Sequence, residues 1–419
     1  MKQIFAAAMM AVVALIAGCG GGGSSAPAPT DVKVVAGDSS ATIYWTGDSG
    51  VQYWVWVGQG SGVDTKNCSA APYCKIYTDV PSPLIVTGLI NGTTYSVTVN
   101  GRHDGGPGGP GSPSIAFVPR LAGSVWTPGN PLSLDNLLGL GYTSATATGI
   151  AELVAVGANG ATFSTEDATT WTPGSSGTTA NLNAVQYRNG VFVAVGDLGT
   201  ILTSPDALTW TPRTSPTTNA LTALAGSGSG QVIAVGLKGT MLVSTNSNDW
   251  STVDSGTTND LYGITYGNGR YVAVGAGGTM VTSTDGSKWT TLTSPTAANL
   301  KGIEYGSVTA SATATAPTVA TFIAVGAAGT VLASTDGTTW TARQSIATND
   351  LAAVTYGTRF VAVGSAGGAF TTEDGVTWTP ADTGTTQNLN AVTFTLLTAK
   401  SIGVGYVAVG NQGTNLAGF

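Results

Sequence analysis

Reactive side chains are scarce in this 419-residue chain, and their spacing limits what they can do. The single histidine, His103, stands apart from any serine or cysteine pattern, so neither a Ser/His/Asp nor a Cys/His arrangement can assemble. Cys68 and Cys74 lie six positions apart with no further Cys or His close by. In an exported protein such a pair most simply closes one small disulfide loop, and a metal site is not expected. Other metal ligands would have to be carboxylates. Asp135, Asp260 and Asp350 are the best placed, although each also suits a turn that enters a strand. Glycine turns precede strands and not helices, so no phosphate loop is expected and no cofactor is called for.

Two patterns could bind a ligand without reacting with it. In Gln52-Tyr53-Trp54-Val55-Trp56-Val57, period-two alternation puts Tyr53, Val55 and Val57 on a core face and Trp54 and Trp56 on the other. Two neighbouring indoles suit stacking on a sugar ring or docking a protein, or they simply cover their own sheet. The second pattern is a series of amides, Asn136, Asn181, Asn219, Asn259, Asn299, Asn349 and Asn388, each one or two residues before a strand-opening Leu. Asn suits strand-entry turns. The alternative is a polar, uncharged collar for a neutral glycan or a peptide loop.

The elements that must position these groups are announced by a repeat. Val-Ala-Val-Gly or Ile-Ala-Val-Gly ends at Gly157, Gly196, Gly236, Gly275, Gly326, Gly364 and Gly410, with spacings of 39, 40, 39, 51, 38 and 46 residues. A period near 40 residues built of short apolar runs means stacked supersecondary units. Each unit reads as four short strands. A first strand such as Leu182 to Tyr187 is followed by a hairpin, often with Asn-Gly as at Asn189-Gly190. The Val-Gly strand, a glycine turn, a third strand and a fourth strand opening on Trp complete the unit. Two first hairpins are long, at 308–321 and 396–405.

The third and fourth strands are joined by Ser283-Thr284-Asp285-Gly286-Ser287-Lys288-Trp289, and again by Ser334-Thr335-Asp336-Gly337-Thr338-Thr339-Trp340, with weaker copies ending at Trp171, Trp210, Trp250 and Trp378. This resembles the Asp-box, or BNR, repeat of sialidase-like propellers, and the whole array looks like the photosystem II assembly-factor type of propeller. The Asp accepts turn N–H bonds, the Gly tolerates positive φ, and the Trp packs between neighbouring units. Six units end in such a Trp, while Val125-Trp126-Thr127-Pro128 supplies an orphan fourth strand ahead of the first unit. Pairing it with the last three strands would close a seven-bladed β-propeller over residues 121–419 and remove both open edges. A sialidase needs an arginine cluster for its substrate carboxylate. Arg188, Arg270 and Arg359 fall in first hairpins, whereas Arg213 and Arg343 follow the fourth-strand Trp, so that cluster cannot assemble.

Residues 29–120 carry short alternating strands. Trp45 matches the core Trp, and Leu89, Gly92 and Tyr95 match the tyrosine corner, of the fibronectin type III domain, which this segment resembles. The fold class expected is therefore all-β, a fibronectin type III sandwich followed by the propeller. At the front, Lys2 and an apolar run end in Ile16-Ala17-Gly18-Cys19, which resembles the bacterial lipobox. That resemblance implies a signal peptide at 1–18 and lipidation of Cys19, then a Gly/Ser/Pro tether at 19–28, and an outer-membrane lipoprotein that is periplasmic or surface-exposed.

Charged residues make up only 9 % and the formal net charge is −7. No basic stripe forms, so nucleic acid is not an expected partner. The function expected is a non-enzymatic, monomeric, lipid-anchored binding or assembly protein whose partner is an envelope or extracellular protein or a neutral glycan. The competing readings are an extracellular glycan-active enzyme and a structural surface adhesin.

Overall fold

A strand such as Val191–Gly196 alternates its side chains between two apolar layers, and this explains why both Val and Ala recur in the repeat. Val193 and Val195 pack with Leu221, Leu224 and Val232 of the following unit. Ala194 and Phe192 face the other way, onto Val154, Val156 and Trp210. Every residue of the strand beyond Val191 is buried. A strand buried on both faces must sit between two other sheets.

The computed structural model describes residues 23–143, 152–228, 230–309, 318–344, 347–397 and 403–419. Cys19 and its apolar leader lie outside the described residues, as do the centres of both long hairpins. The chain divides into two compact units. One comprises the described residues up to Lys33 with Tyr44–Leu84 and Thr94–Ala116, and the other comprises Val34–Ile43, Ile85–Thr93 and Phe117–Phe419.

In the first unit Val51–Gln59 pairs with Cys74–Thr78 on one side and Tyr95–His103 on the other, and Ile115–Phe117 adds to the outer edge. Tyr53, Val55 and Val57 are buried beneath this sheet. Cys68 and Cys74 form a disulfide with a Cα–Cα distance of 5.4 Å, closing the loop that leads into the edge strand. A separate three-stranded sheet is formed by Thr30–Gly37, Ser40–Thr46 and Leu84–Thr87.

In the second unit the described strands from Thr127 onward form seven four-stranded antiparallel sheets. One consists of Leu182–Arg188, Val191–Gly196, Ile201–Ser204 and Thr211–Pro212, in chain order. The hairpin between its first two strands has Asn189 and Gly190 both at positive φ, as the turn type requires. Six sheets are contiguous in sequence. The last, Leu389–Leu397, Gly403–Gly410 and Asn415–Gly418, takes its fourth strand from Thr127–Pro128. The first strands neighbour one another in a cycle that returns from Leu389–Leu397 to Leu137–Thr143. Leu137 and Ala155 share a core with Ala391 and Val409, so the apolar layers also join end to beginning.

Candidate functional site

The turn after each Val-Gly strand is one residue pair repeated seven times. Asn159, Leu198, Lys238, Gly277, Ala328, Ala366 and Gln412 occupy the left-handed region, with φ between 51° and 60°. That conformation costs a non-glycine residue about 1 kcal/mol and needs outside support. The next residue is always a buried glycine; at Gly199 a Cβ would run into the Thr217 carbonyl.

Support comes from the following unit. The residue before each first-strand Leu reaches back with a side-chain oxygen and accepts the N–H of the left-handed residue. Asn181 holds Asn159 at 3.0 Å, Asp260 holds Lys238 at 2.8 Å, and Asn299 holds Gly277 at 2.8 Å. Asp350 holds Ala328 at 2.8 Å, Asn388 holds Ala366 at 2.9 Å, and Asn136 holds Gln412 at 3.1 Å. The seventh position is Ala220, whose methyl group can accept nothing.

The amide series therefore contains two kinds of residue. Asn136, Asn181, Asn299 and Asn388 are latches between units. Asn219 and Asn259 sit one position earlier and donate within their own units, to Thr240 Oγ1 at 2.8 Å and Thr279 Oγ1 at 2.7 Å. Asn349 also occupies the earlier position, ahead of the latch Asp350. Asn181 is engaged at both ends, since its Nδ2 donates to Asp197 Oδ2 at 2.9 Å. Asp135 accepts from Asn159 Nδ2 at 2.7 Å. Among the described residues no group of three His, Cys, Asp or Glu side chains could hold a metal ion.

What the turn face offers a partner is the side chain of the left-handed residue itself. All seven positions are exposed; they carry Asn, Leu, Lys, Gly, Gln and, twice, Ala, and Leu198 is 77 % exposed. Sequence reasoning passed over these positions. The available signal was a variable residue directly ahead of a turn glycine, as in Asp197-Leu198-Gly199 and Leu237-Lys238-Gly239.

On the other edge of the sheets, the Asp turns are closed locally. Asp336 Oδ1 accepts the N–H groups of Thr338 and Thr339, both at 2.7 Å, and the Ser334 hydroxyl at 3.0 Å. Asp285 makes the same set, and Asn246 reproduces it without a charge. Donation from Thr339 holds the Asp336 carboxyl well below the usual carboxylate range, and donation from Lys288 does so for Asp285. These carboxylates close their own turns through Oδ1.

Other charged groups are partly or wholly withdrawn from solvent. Burial pushes Glu304 up to about 7, against the N–H of Tyr305, the Thr265 hydroxyl at 3.2 Å and the field of Arg188, which all favour its ionised form. Arg359 is 5 % exposed and pairs with Asp38 at 2.7 Å and Glu373 at 2.9 Å, all inside the second unit.

In the first unit Trp54 and Trp56 lie on the face opposite Tyr53, Val55 and Val57, and both are half-buried. Their rings stand 6.4 Å apart and tilted by 47°, so they do not form one plane. The Arg102 guanidinium lies 4.6 Å over the Trp54 ring, and Trp56 Nε1 donates to Asn100 Oδ1 at 2.9 Å. His103 Nδ1 lies 3.3 Å from the Gly50 carbonyl oxygen.

Four-stranded antiparallel sheets stacked face to face and latched in a cycle define the array as a β-propeller. A family model described as the DUF6242 beta propeller domain matches residues 150–262. Among solved structures, YCF48 bound to D1 peptide is 16 % identical with a TM-score of 0.54, covering 70 % of this chain and 94 % of that one. YCF48 from Cyanidioschyzon merolae is 16 % identical with a TM-score of 0.52, covering 70 % and 98 %. The RRP9 WD40 repeats are 10 % identical with a TM-score of 0.53, covering 71 % and 98 %. At these identities the likeness is one of fold. No curated protein matches the sequence.

Proposed function

We propose that this chain is a non-enzymatic, lipid-anchored protein of the bacterial cell envelope that uses a seven-bladed propeller as a protein-docking platform. The observation that carries this reading is the division of labour on the turn face. Latches hold equivalent backbone in six of seven junctions, and one exposed position per unit varies in residue type, among them Leu198, Lys238 and Gln412. A rigid frame presenting non-equivalent side chains pays little ordering entropy on binding. A structural neighbour, YCF48, has been solved with a peptide bound, which is in keeping with a protein partner.

The anchor rests on Ile16-Ala17-Gly18-Cys19 and its likeness to a lipobox, and an outer-membrane address follows from it. The front segment, residues 29–120, is read as a fibronectin type III spacer. Its three-stranded and four-stranded sheets have the strand orders that module would need, and Trp45, Leu89 and Tyr95 are buried.

A photo-crosslinking residue at position 198 tests the docking face in cells, with position 252 on an exposed fourth strand as the control. One defined protein adduct from position 198 and none from 252 is the expected result. Hydrolysis of a surface polysaccharide by the purified chain would overturn the non-enzymatic reading.

A further inference from the structure

We propose that the groove between the unit ending at Arg343 and the next unit binds an acidic sugar, with the Arg343 guanidinium receiving its carboxylate. The site is independent of the turn face. It is a cavity of about 310 Å³ lined by Val308, Val319 and Ala333 on its apolar side and by Thr335, Thr339, Thr341, Arg343 and Asp374 on its polar side. That volume is at the lower end of small-molecule pockets and suits a single ring.

Arg343 differs from its counterpart in an earlier unit, Arg213. Arg213 stands three residues after Trp210, as Arg343 stands three after Trp340. Thr203 pairs with Thr211 in one sheet, and Ala333 pairs with Thr341 in the other, so Thr203 and Ala333 are equivalent. Arg213 donates from Nε to Thr203 Oγ1 at 2.8 Å. With Ala333 in that place, the buried Nε of Arg343 has no partner. The guanidinium also has no ion pair among the described residues, where both salt bridges belong to Arg359. A guanidinium that makes no ion pair among the described residues can be matched by a planar carboxylate, which accepts two parallel N–H bonds.

The remaining walls select the rest of the ligand. Asp374 is ionised: burial raises its carboxyl, but the N–H groups of Thr377 and Val376 outweigh this and hold it below its ordinary value. A fixed negative charge on the same cavity wall repels a dianion such as phosphate more strongly than a monoanion. The exposed hydroxyls of Thr335, Thr339 and Thr341 can donate to and accept from sugar hydroxyls. Val308 and Val319 offer an apolar surface for the C–H face of a ring. A hexuronate satisfies all three walls.

Calorimetric titration of the full chain with glucuronate, glucose and inorganic sulfate tests the proposal. Saturable glucuronate binding is expected, with glucose and sulfate each weaker. Arg343→Gln should weaken glucuronate by about tenfold or more, the loss expected for one charge-assisted contact, with thermal unfolding unchanged. Ala333→Thr, which restores the partner seen by Arg213, should also weaken it. Absence of glucuronate binding, binding that Arg343→Gln leaves intact, or sulfate equal to or tighter than glucuronate would each overturn the assignment.

Discussion

The side-chain oxygen of Asn136 accepts a hydrogen bond at 3.1 Å from the backbone N–H of Gln412, 276 residues further along the chain. The same bond joins Asn181 to Asn159 and Asp260 to Lys238 over only 22 residues. The junction that links the end of the array to its beginning is therefore made like the others. It is reinforced by the pairing of Leu416 with Pro128 and Ala417 with Thr127.

One latch is missing, and supplying it should stabilise the protein. Ala220→Asn places an acceptor opposite the Leu198 N–H, and a net gain of about 1 kcal/mol is expected, or roughly 2 °C in thermal midpoint. Asn136→Ala should lower the midpoint by a similar amount. Thermal unfolding followed by circular dichroism decides the matter, and no change in either variant would remove the latch from the account.

The Asp turns make stability sensitive to acid in a defined window. Asp206, Asp285 and Asp336 all have folded-state values below the ordinary carboxylate value of 3.8. Their contribution is complete above that value and is lost as pH falls through the lower folded-state values. Asp336→Asn keeps the acceptor, as Asn246 does in its own turn, and should flatten the fall in thermal midpoint below about pH 4. A slope identical to that of the parent protein would show that the turn does not titrate with folding.

Glu304 predicts the opposite dependence at higher pH. Its folded-state value is raised from 4.5 to about 7, so the folded chain holds a proton that the unfolded chain has released. Stability from this group is full below about 4.5 and declines as pH rises to about 7, by on the order of 3 kcal/mol. Glu304→Gln should abolish this decline and raise the midpoint at neutral pH. Taken with the Asp turns, maximal stability is expected near pH 4 to 5, and a midpoint that keeps rising from pH 5 to 7 would contradict the Glu304 assignment.

The anchor can be tested separately from the fold. Labelled palmitate should enter the parent chain and fail to enter Cys19→Ser, which should leave the membrane fraction. Label retained by the variant would rule out Cys19 as the attachment site.

How much of this was legible in the sequence differs between backbone and side chains. The Val-Gly period marks each second strand because burial on both faces demands unbroken apolar residues, and Val193-Ala194-Val195 shows that demand locally. Trp126 marked a fourth strand without three preceding partners, which pointed to its pairing with the chain end. The amide series was visible as residues but not as bonds. Asn219 and Asn299 look alike in sequence, yet one position of register sends the first to a threonine in its own unit and the second to its neighbour's turn.

What the sequence determined by itself is therefore the set of short-range decisions: strand periodicity, Asn-Gly hairpins, Asp turns and the number of repeats. Each depends on residues within a few positions of one another, where propensity and turn chemistry act. Only the tertiary structure decided which polar groups found partners. Arg213 is satisfied and Arg343 is not because of one residue on a neighbouring strand. Glu304 is shifted because the surrounding sheets exclude water from it. Those outcomes depend on desolvation and on hydrogen-bond geometry between units, which spacing along the chain does not encode.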